Sequence, residues 1–446
     1  MSRRLAQTLF ATMTRGMSLR EWERTGLLYR EWALYERIAQ DYERIVVISH
    51  GDDEDQIPAA RLEHPPIVIA NRDRLPVLDY VASLPARIQE ALGPVESAVI
   101  RTNQMDDAGA ACTIAGWLKR LSTPCALIAR CGYLRSQFLA AEFGPGSPQA
   151  ADAALIERTV IGMADLVVGT TERIVSDLAW RDGLSDEQVR VVPNYVLDDA
   201  CILPDESRRP GLLVCVGQLV PRKRVDHLIR AVAELHGDHE VTLEVIGSGP
   251  QEQSLRALAA ELGAPVDFLP RMPHHEVLDH MRRAAVYLQA SALEGHPKTL
   301  MEAMACGSAC IVSDSPGLGN LIQNGVTGLC VSGEPQTFAY ALAGLLEDAC
   351  WREQLGACAS QFARTHFGLE RVIELEREAH RAAVDLAANR PRGNGALIRW
   401  SPALLQHAPN EIAEQWSRAF EALLARLPPA SQAGLRRELA RRDRAA

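Results

Sequence analysis

Glu294 and Glu302 stand eight residues apart in the segment SALEGHPKTLMEAMACG. An apolar strand, Val286–Gln289, is predicted just before them, and a helix is predicted to start near Lys298. Glu294 then lies on the loop at a strand's C-terminal end, and Glu302 lies one turn into the following helix. Open α/β sheets bind ligands at that kind of position. Between the two carboxylates, the backbone N–H groups near Thr299 and Leu300 point out of the helix N-terminus, a natural place for a diphosphate. A carboxylate accepts hydrogen bonds from two sugar hydroxyls at once. Two of them flanking an anion site suit a ligand with a sugar at one end and a ribose at the other. Spacing alone does not separate this reading from one loop glutamate and one helix-surface glutamate.

A second chemical segment is VCVGQLVPRKRVDHLI. A strand is predicted to end at Gly217 and a helix to begin near Val225, which leaves Arg222 and Lys223 as cations in the connecting loop. Fixed cations beside a departing diphosphate stabilise the transition state more than the ground state. Gly16 follows the first predicted strand, where the lack of a side chain lets a sugar or phosphate approach the backbone; a plain turn glycine is the alternative. RTNQMDDAG follows an apolar strand and offers Asn103 and Gln104 as sugar-hydroxyl partners; RCGYLRS, with Arg130 and Tyr133, follows another and reads as an acceptor site or a structural turn. The acidic run GDDED, Gly51 to Asp55, invites a metal reading, but its position reads as a solvated loop.

The elements that must hold these residues alternate between short apolar runs and helical patterns, the signature of βαβ units and parallel sheets. Strands are predicted at Thr8–Met13, Ile45–Ser49, Ile67–Ala70, Ser97–Arg101, Cys125–Ala129, Leu166–Gly169 and Val189–Val192. A capping box of Ser18 and Glu21 opens one long helix reaching Gln40. After a hinge near Leu203–Pro210, a second series runs Leu212–Gly217, Thr242–Gly247, Val266–Leu269, Val286–Gln289, Ala309–Ser313 and Gly328–Val331. Leu369–Ala388 reads as one amphipathic helix, broken by the glycines and proline of Arg390–Gly395.

The Glu294 block resembles the E-x7-E motif of family 4 of the retaining glycosyltransferases, which adopt the GT-B fold. Glu294, Gly295, Glu302, Ala303, Met304 and Gly307 fit that family's pattern, as do Asp314–Gly317 and Asn324–Leu329 downstream. The resemblance is strong over Gly211–Arg381 and moderate over Leu9–Val196. It implies an α/β protein of two facing Rossmann-like domains with an interdomain cleft and a C-terminal helical tail. The expected divisions are an acceptor domain over 1–205, a donor domain over 206–368, a helix crossing back over 369–390, and a helical tail over 391–446. By the same resemblance Glu294 contacts the transferred sugar and Glu302 the ribose, while His296, Pro297 and Lys298 line the sugar. Gly217, Arg222, Lys223, Thr299 and Leu300 surround the diphosphate, Gly16 closes the site, and Arg271 packs over the base. His274 and His275 read as surface residues. The sequence departs from the family at Gln218, where an Arg is usual and Arg222 or Arg224 is the compensating candidate, at Cys131, where a His is usual, and at His296–Pro297, where Phe-Gly is common. The implied reaction moves a sugar from a nucleoside diphosphate to an acceptor hydroxyl with retention, in bacterial polysaccharide or glycoconjugate synthesis. No cofactor or metal is implied, because protein cations serve the leaving group. An inactive sugar-nucleotide-binding protein and a sugar-nucleotide epimerase stay open as alternatives.

The bulk numbers agree. The 446 residues exceed one ordinary core, and 47% hydrophobic with 23% charged residues fits a globular chain. A net charge of −10 argues against a nucleic-acid binder. The ten cysteines hold no zinc spacing and read as buried free thiols in a reducing cytosol. No signal peptide and no apolar run of about 18 residues is evident, so a cytoplasmic place is expected. The Arg-rich tail leaves open a peripheral contact with the inner membrane face, where a glycan or lipid-linked glycan acceptor resides.

Overall fold

The first strand, TLFAT over Thr8–Thr12, is buried at every position. A strand covered by helices on both faces must be apolar throughout rather than alternating. In the computed structural model, which describes residues 4–201 and 208–389, this strand (β1) joins β2 (Arg44–Ile48), β3 (Ile67–Ile69), β4 (Ala98–Thr102), β5 (Cys125–Cys131), β6 (Leu166–Gly169) and β7 (Val189–Val191). The order is β3-β2-β1-β4-β5-β6-β7, and every pair is parallel. A second parallel sheet is built from β8 (Arg209–Val216), β9 (Thr242–Ile246), β10 (Val266–Leu269), β11 (Ala284–Gln289), β12 (Ala309–Ser313) and β13 (Leu329–Val331). Its order is β10-β9-β8-β11-β12-β13. Each sheet reverses its winding once, between β1 and β4 and between β8 and β11. Those are the two switch points where an open sheet leaves a crevice at its carboxyl edge.

Both faces of each sheet are covered, giving separate apolar layers. The helix Leu369–Asn389 packs not on the second sheet but on the first. Its Leu369, Val372, Ile373, Ala379 and Ala383 join the core of Leu9, Trp32 and Tyr35. Its polar anchor is a fully buried ion pair, Glu376 to Arg101, each 2% exposed. His380 Nδ1 adds a 2.6 Å hydrogen bond with the Tyr42 hydroxyl.

Four expectations need correction. The long helix over Ser18–Gln40 is two helices, Leu19–Arg24 and Leu28–Ile38. Gly26 breaks it at φ +72°, and a Cβ there would meet the Pro273 backbone at 3.2 Å. The break is local: the Leu27 N–H donates to the Trp22 carbonyl at 2.7 Å and the Gly26 N–H to the Glu23 carbonyl at 2.9 Å around a left-handed glycine. The capping box is half made: Ser18 Oγ accepts from the Glu21 N–H at 3.0 Å. The Glu21 carboxylate instead takes Arg24, at 2.8 and 2.6 Å. The acidic run is not wholly solvated: Asp55 is 1% exposed and accepts from the Ser49 hydroxyl and the Arg20 N–H. His274 is not a surface residue, for reasons given below. The hinge over Leu203–Pro210 falls largely, and the tail over 391–446 wholly, outside the described residues.

Candidate functional site

Lys223 and Glu294 come from the two loops that flank the second switch point, after β8 and after β11. Gly217 ends in the crevice beside them, and a Cβ there would sit 3.5 Å from Lys223 Cε. The loop then turns through a short 3-10 segment, Pro221–Lys223. This throws the Lys223 ammonium onto Glu294 Oε1 at 2.5 Å, with Arg222 Nη1 3.2 Å from the same oxygen. Gln289 Nε2 donates to it as well, at 3.1 Å. Burial pushes the Glu294 carboxyl up, but Lys223 and Arg222 outweigh it and hold it below the usual range. Arg222 also donates to the Leu293 carbonyl at 2.7 Å and lies 4.8 Å over the Phe138 ring of the first domain. Gln218, in the position where the resemblance expects an Arg, is exposed. The cation beside Lys223 is therefore Arg222.

Eight residues on, the helix Lys298–Ala305 buries Leu300, Met301, Ala303, Met304 and Ala305 completely. Each of its large apolar side chains contributes about 1.5–3 kcal/mol of burial. Its other face turns Glu302 into the cleft at 2% exposure. Glu302 Oε1 is held by His274 Nε2 at 2.9 Å and by Arg30 Nη1 at 3.2 Å. Glu302 Oε2 is buried and has no hydrogen-bond partner. Burial raises this carboxyl and Arg30 and His274 lower it, with a net lowering. Arg30 reaches across from the first domain. Its neighbour Glu31 takes Lys298 Nζ at 2.6 and 2.7 Å, so two ion pairs span the cleft side by side. No side chain caps this helix. Its first-turn amides at Thr299 and Leu300 lie between the two carboxylates.

His296 is buried against Asn194, in the chain that follows β7. The Asn194 N–H donates to His296 Nδ1 at 3.0 Å, and Asn194 Nδ2 donates to the His296 carbonyl at 2.7 Å. Arg130 Nη2 in turn donates to Asn194 Oδ1 at 2.8 Å, and Arg130 Nη1 to the Asn103 carbonyl at 3.3 Å. Burial pushes the His296 imidazole down to about 3, so it is neutral and the Nδ1 lone pair is available to accept. Cys131 is buried, with its thiol pushed up to about 12 by burial, and donates to the Tyr133 carbonyl at 2.9 Å. Tyr133 packs against Phe138 at 5.0 Å. The domains touch here: a Cβ on Gly295 would lie 2.3 Å from the Gly132 carbonyl oxygen, so only glycine permits this approach.

The sequence-selected residues thus form three clusters: Gly217, Arg222, Lys223 and Glu294; Lys298, Thr299, Leu300 and Glu302; and Asn103, Arg130 and His296, joined through Asn194. Pro297 lies between the last two. Gly16, at φ +77°, is exposed with open space around it, and Arg271 is exposed on its loop. Arg30, Glu31, His274, Gln289 and Asn194 escaped the sequence reading. Arg30 and Glu31 sit in a helix whose charges read as a solvated face, and only the second domain reveals their partners. Among the described residues the groups able to hold a metal reduce to Glu36, Glu63 and His64, on the surface and away from the cleft. Among the same residues no helix is long and apolar enough to cross a membrane.

Two parallel sheet domains meeting at their carboxyl edges, with a returning C-terminal helix, define the GT-B class. Residues 205–362 match the model of the family described as glycosyl transferases group 1. A D-inositol 3-phosphate glycosyltransferase of Nocardia farcinica is 30% identical over 311 residues, covering 64% of this chain and 69% of that protein. Its namesake in Acidothermus cellulolyticus is 31% identical, over 50% of this chain and 56% of that protein. The chain therefore belongs to the group 1 glycosyl transferases, and it spans between about half and two thirds of these relatives' length. Sucrose-phosphate synthase from Thermosynechococcus elongatus shares the fold at TM-score 0.66 and 18% identity, over 84% of this chain and 98% of its own. Anabaena Alr3699/HepE in complex with UDP-glucose does so at TM-score 0.64 and 18% identity, over 84% and 98%.

Proposed function

We propose that this protein is a retaining glycosyltransferase that moves a sugar from a nucleoside diphosphate to an acceptor hydroxyl. The observation that carries the reading is Glu302 Oε2, a buried carboxylate oxygen without a partner, one turn into the helix Lys298–Ala305. A buried acceptor left unmade costs about 1–3 kcal/mol, more for a charged group, and a ribose diol would supply the missing donors. Glu294 holds the hydroxyls of the transferred sugar. Lys223, Arg222 and the Thr299 and Leu300 amides take the diphosphate between them. The bond from the anomeric carbon to the diphosphate oxygen breaks as the acceptor oxygen bonds to that carbon on the same face. The acceptor's proton passes to the leaving phosphate oxygen. Arg222 and Lys223 neutralise the charge that builds there, the task a metal performs in other glycosyltransferases.

The first sheet domain supplies the acceptor side and the second the donor side. Relatives named for an inositol phosphate acceptor, and a neighbour solved with UDP-glucose, support a nucleotide sugar and a polyhydroxy acceptor. Bacterial glycoconjugate or polysaccharide synthesis at the cytoplasmic face of the membrane is the setting we propose. The test is a panel of UDP-, GDP- and ADP-sugars, scored by thermal shift and by release of nucleoside diphosphate. Stabilisation by one donor, with release that depends on Glu294 and Lys223, is the expected result. Binding of nucleotide sugars without release in the presence of any acceptor pool would establish a binding protein instead.

A further inference from the structure

The first domain has its own switch point, between β1 and β4, and a cavity lies there. Thr12 and Met13 enter it from the end of β1, Asn103 from the end of β4, and Trp22, Trp32 and Tyr35 from the two helices that follow β1. Thr12 and Trp32 are each 1% exposed, yet Thr12 Oγ1 and Trp32 Nε1 have no hydrogen-bond partner in the protein. Leaving both unmade is costly, so the cavity is built for an occupant.

The chemistry of the lining restricts that occupant. An indole N–H only donates, and a threonine hydroxyl both donates and accepts. The matching group is an oxygen that accepts from Trp32 and exchanges a hydrogen bond with Thr12. No charged side chain lines the cavity, so a phosphate or carboxylate would be buried unpaired. The walls are fixed: Trp32 and Tyr35 stack at 4.9 Å, and Arg101 Nη1 pins the Tyr35 hydroxyl at 2.8 Å. The volume, about 10 Å³, admits one water-sized group. A hydroxyl fits, and the body of its molecule would lie on the side of Asn103, the one lining residue that is half-buried rather than buried.

We propose that this cavity is a subsite for a single neutral hydroxyl or hydroxymethyl group of a sugar or polyol. The binding site stands on the cavity itself; assigning its occupant as the acceptor rests on the function proposed above.

The test is calorimetric titration of the full chain with glycerol, myo-inositol and methyl α-glucoside, in wild type, Thr12→Val and Trp32→Phe. Thr12→Val is nearly isosteric and keeps the strand buried. At least one of these polyols is expected to bind saturably to wild type, and about tenfold more weakly to each variant, the effect of one lost hydrogen bond. Nucleoside diphosphate is titrated in parallel and is expected to bind all three proteins equally. If none of the polyols binds saturably, or if the variants bind them as wild type does, the cavity holds a structural water only and the subsite is refuted. If wild type binds a polyol but no nucleotide, the subsite stands and the glycosyltransferase reading fails.

Discussion

Replacing Lys223 with methionine separates the two roles its ammonium can have. Lys223 is 15% exposed and Glu294 8%, and their charged atoms are 2.5 Å apart. At an effective dielectric of about 20, such a pair attracts by about 7 kcal/mol. Most of that offsets the desolvation of two nearly enclosed charges, so it is not a gain in stability. Arg222, 3.2 Å from the same oxygen, still compensates Glu294 in the variant. Methionine preserves the stem's volume, and the fold should survive. What disappears is a cation aimed at the leaving diphosphate. Loss of one such group costs about 10²–10³ in kcat, or about 2.7–4 kcal/mol. Nucleotide affinity should fall by no more than about tenfold, because Arg222 and the Thr299 and Leu300 amides remain. With its strongest attraction gone, the Glu294 carboxyl titrates higher, so the acid limb of the rate profile moves up in pH. The assay is steady-state release of nucleoside diphosphate, beside calorimetric nucleotide binding. A kcat within about threefold of wild type would refute the argument and leave Lys223 as a mere counter-ion of Glu294.

Glu302→Gln should weaken nucleotide binding by about 10- to 100-fold, because a charge-assisted acceptor of the diol is lost; calorimetry with the nucleoside diphosphate reads it directly. Gly295→Ala should lower kcat/KM steeply and open the cleft, since the added methyl would meet the Gly132 carbonyl; an increased radius of gyration in X-ray scattering accompanies it. Glu376→Ala should destabilise the protein by about 3–5 kcal/mol by stranding Arg101, while Arg101→Met with Glu376→Leu recovers most of the loss, as read by urea denaturation. His296 is held down to about 3 against 6.5 for an ordinary imidazole, so below pH 6.5 the unfolded chain binds a proton that the folded chain refuses. Stability contributed by the neutral ring is therefore full above pH 6.5 and falls by about 1.4 kcal/mol per unit as the pH drops. Carboxylates such as Glu31, lowered to about 2, add their loss only below about 4.5, so the interval above that isolates the histidine. His296→Phe should flatten the slope there.

The sheet strands were legible because each is a short, wholly apolar run bounded by turn residues, and a buried parallel strand has to be that. The predicted strand Thr8–Met13 differs from the observed Thr8–Thr12 by one residue. Lys223 and Glu294 were legible for a related reason: a charged residue just after such a run must lie at a sheet's carboxyl edge. The sequence by itself therefore determined two doubly wound domains, the crevice at their edges and the charged residues that gather beside it. Only the tertiary structure decided what crosses the crevice. Arg30 and Glu31 look like any solvated helix face until the second domain brings Glu302 and Lys298 to 3.2 and 2.6 Å. A Cβ at Gly26 would meet the Pro273 backbone at 3.2 Å, a contact its neighbours in sequence do not announce. His274 is half-buried, its Nε2 2.9 Å from a carboxylate 28 residues further along the chain. Periodicity records which face of an element is apolar. It carries no information on which charged faces will meet, because an ion pair between domains has no repeat, and its energy depends on a distance that only the folded chain sets.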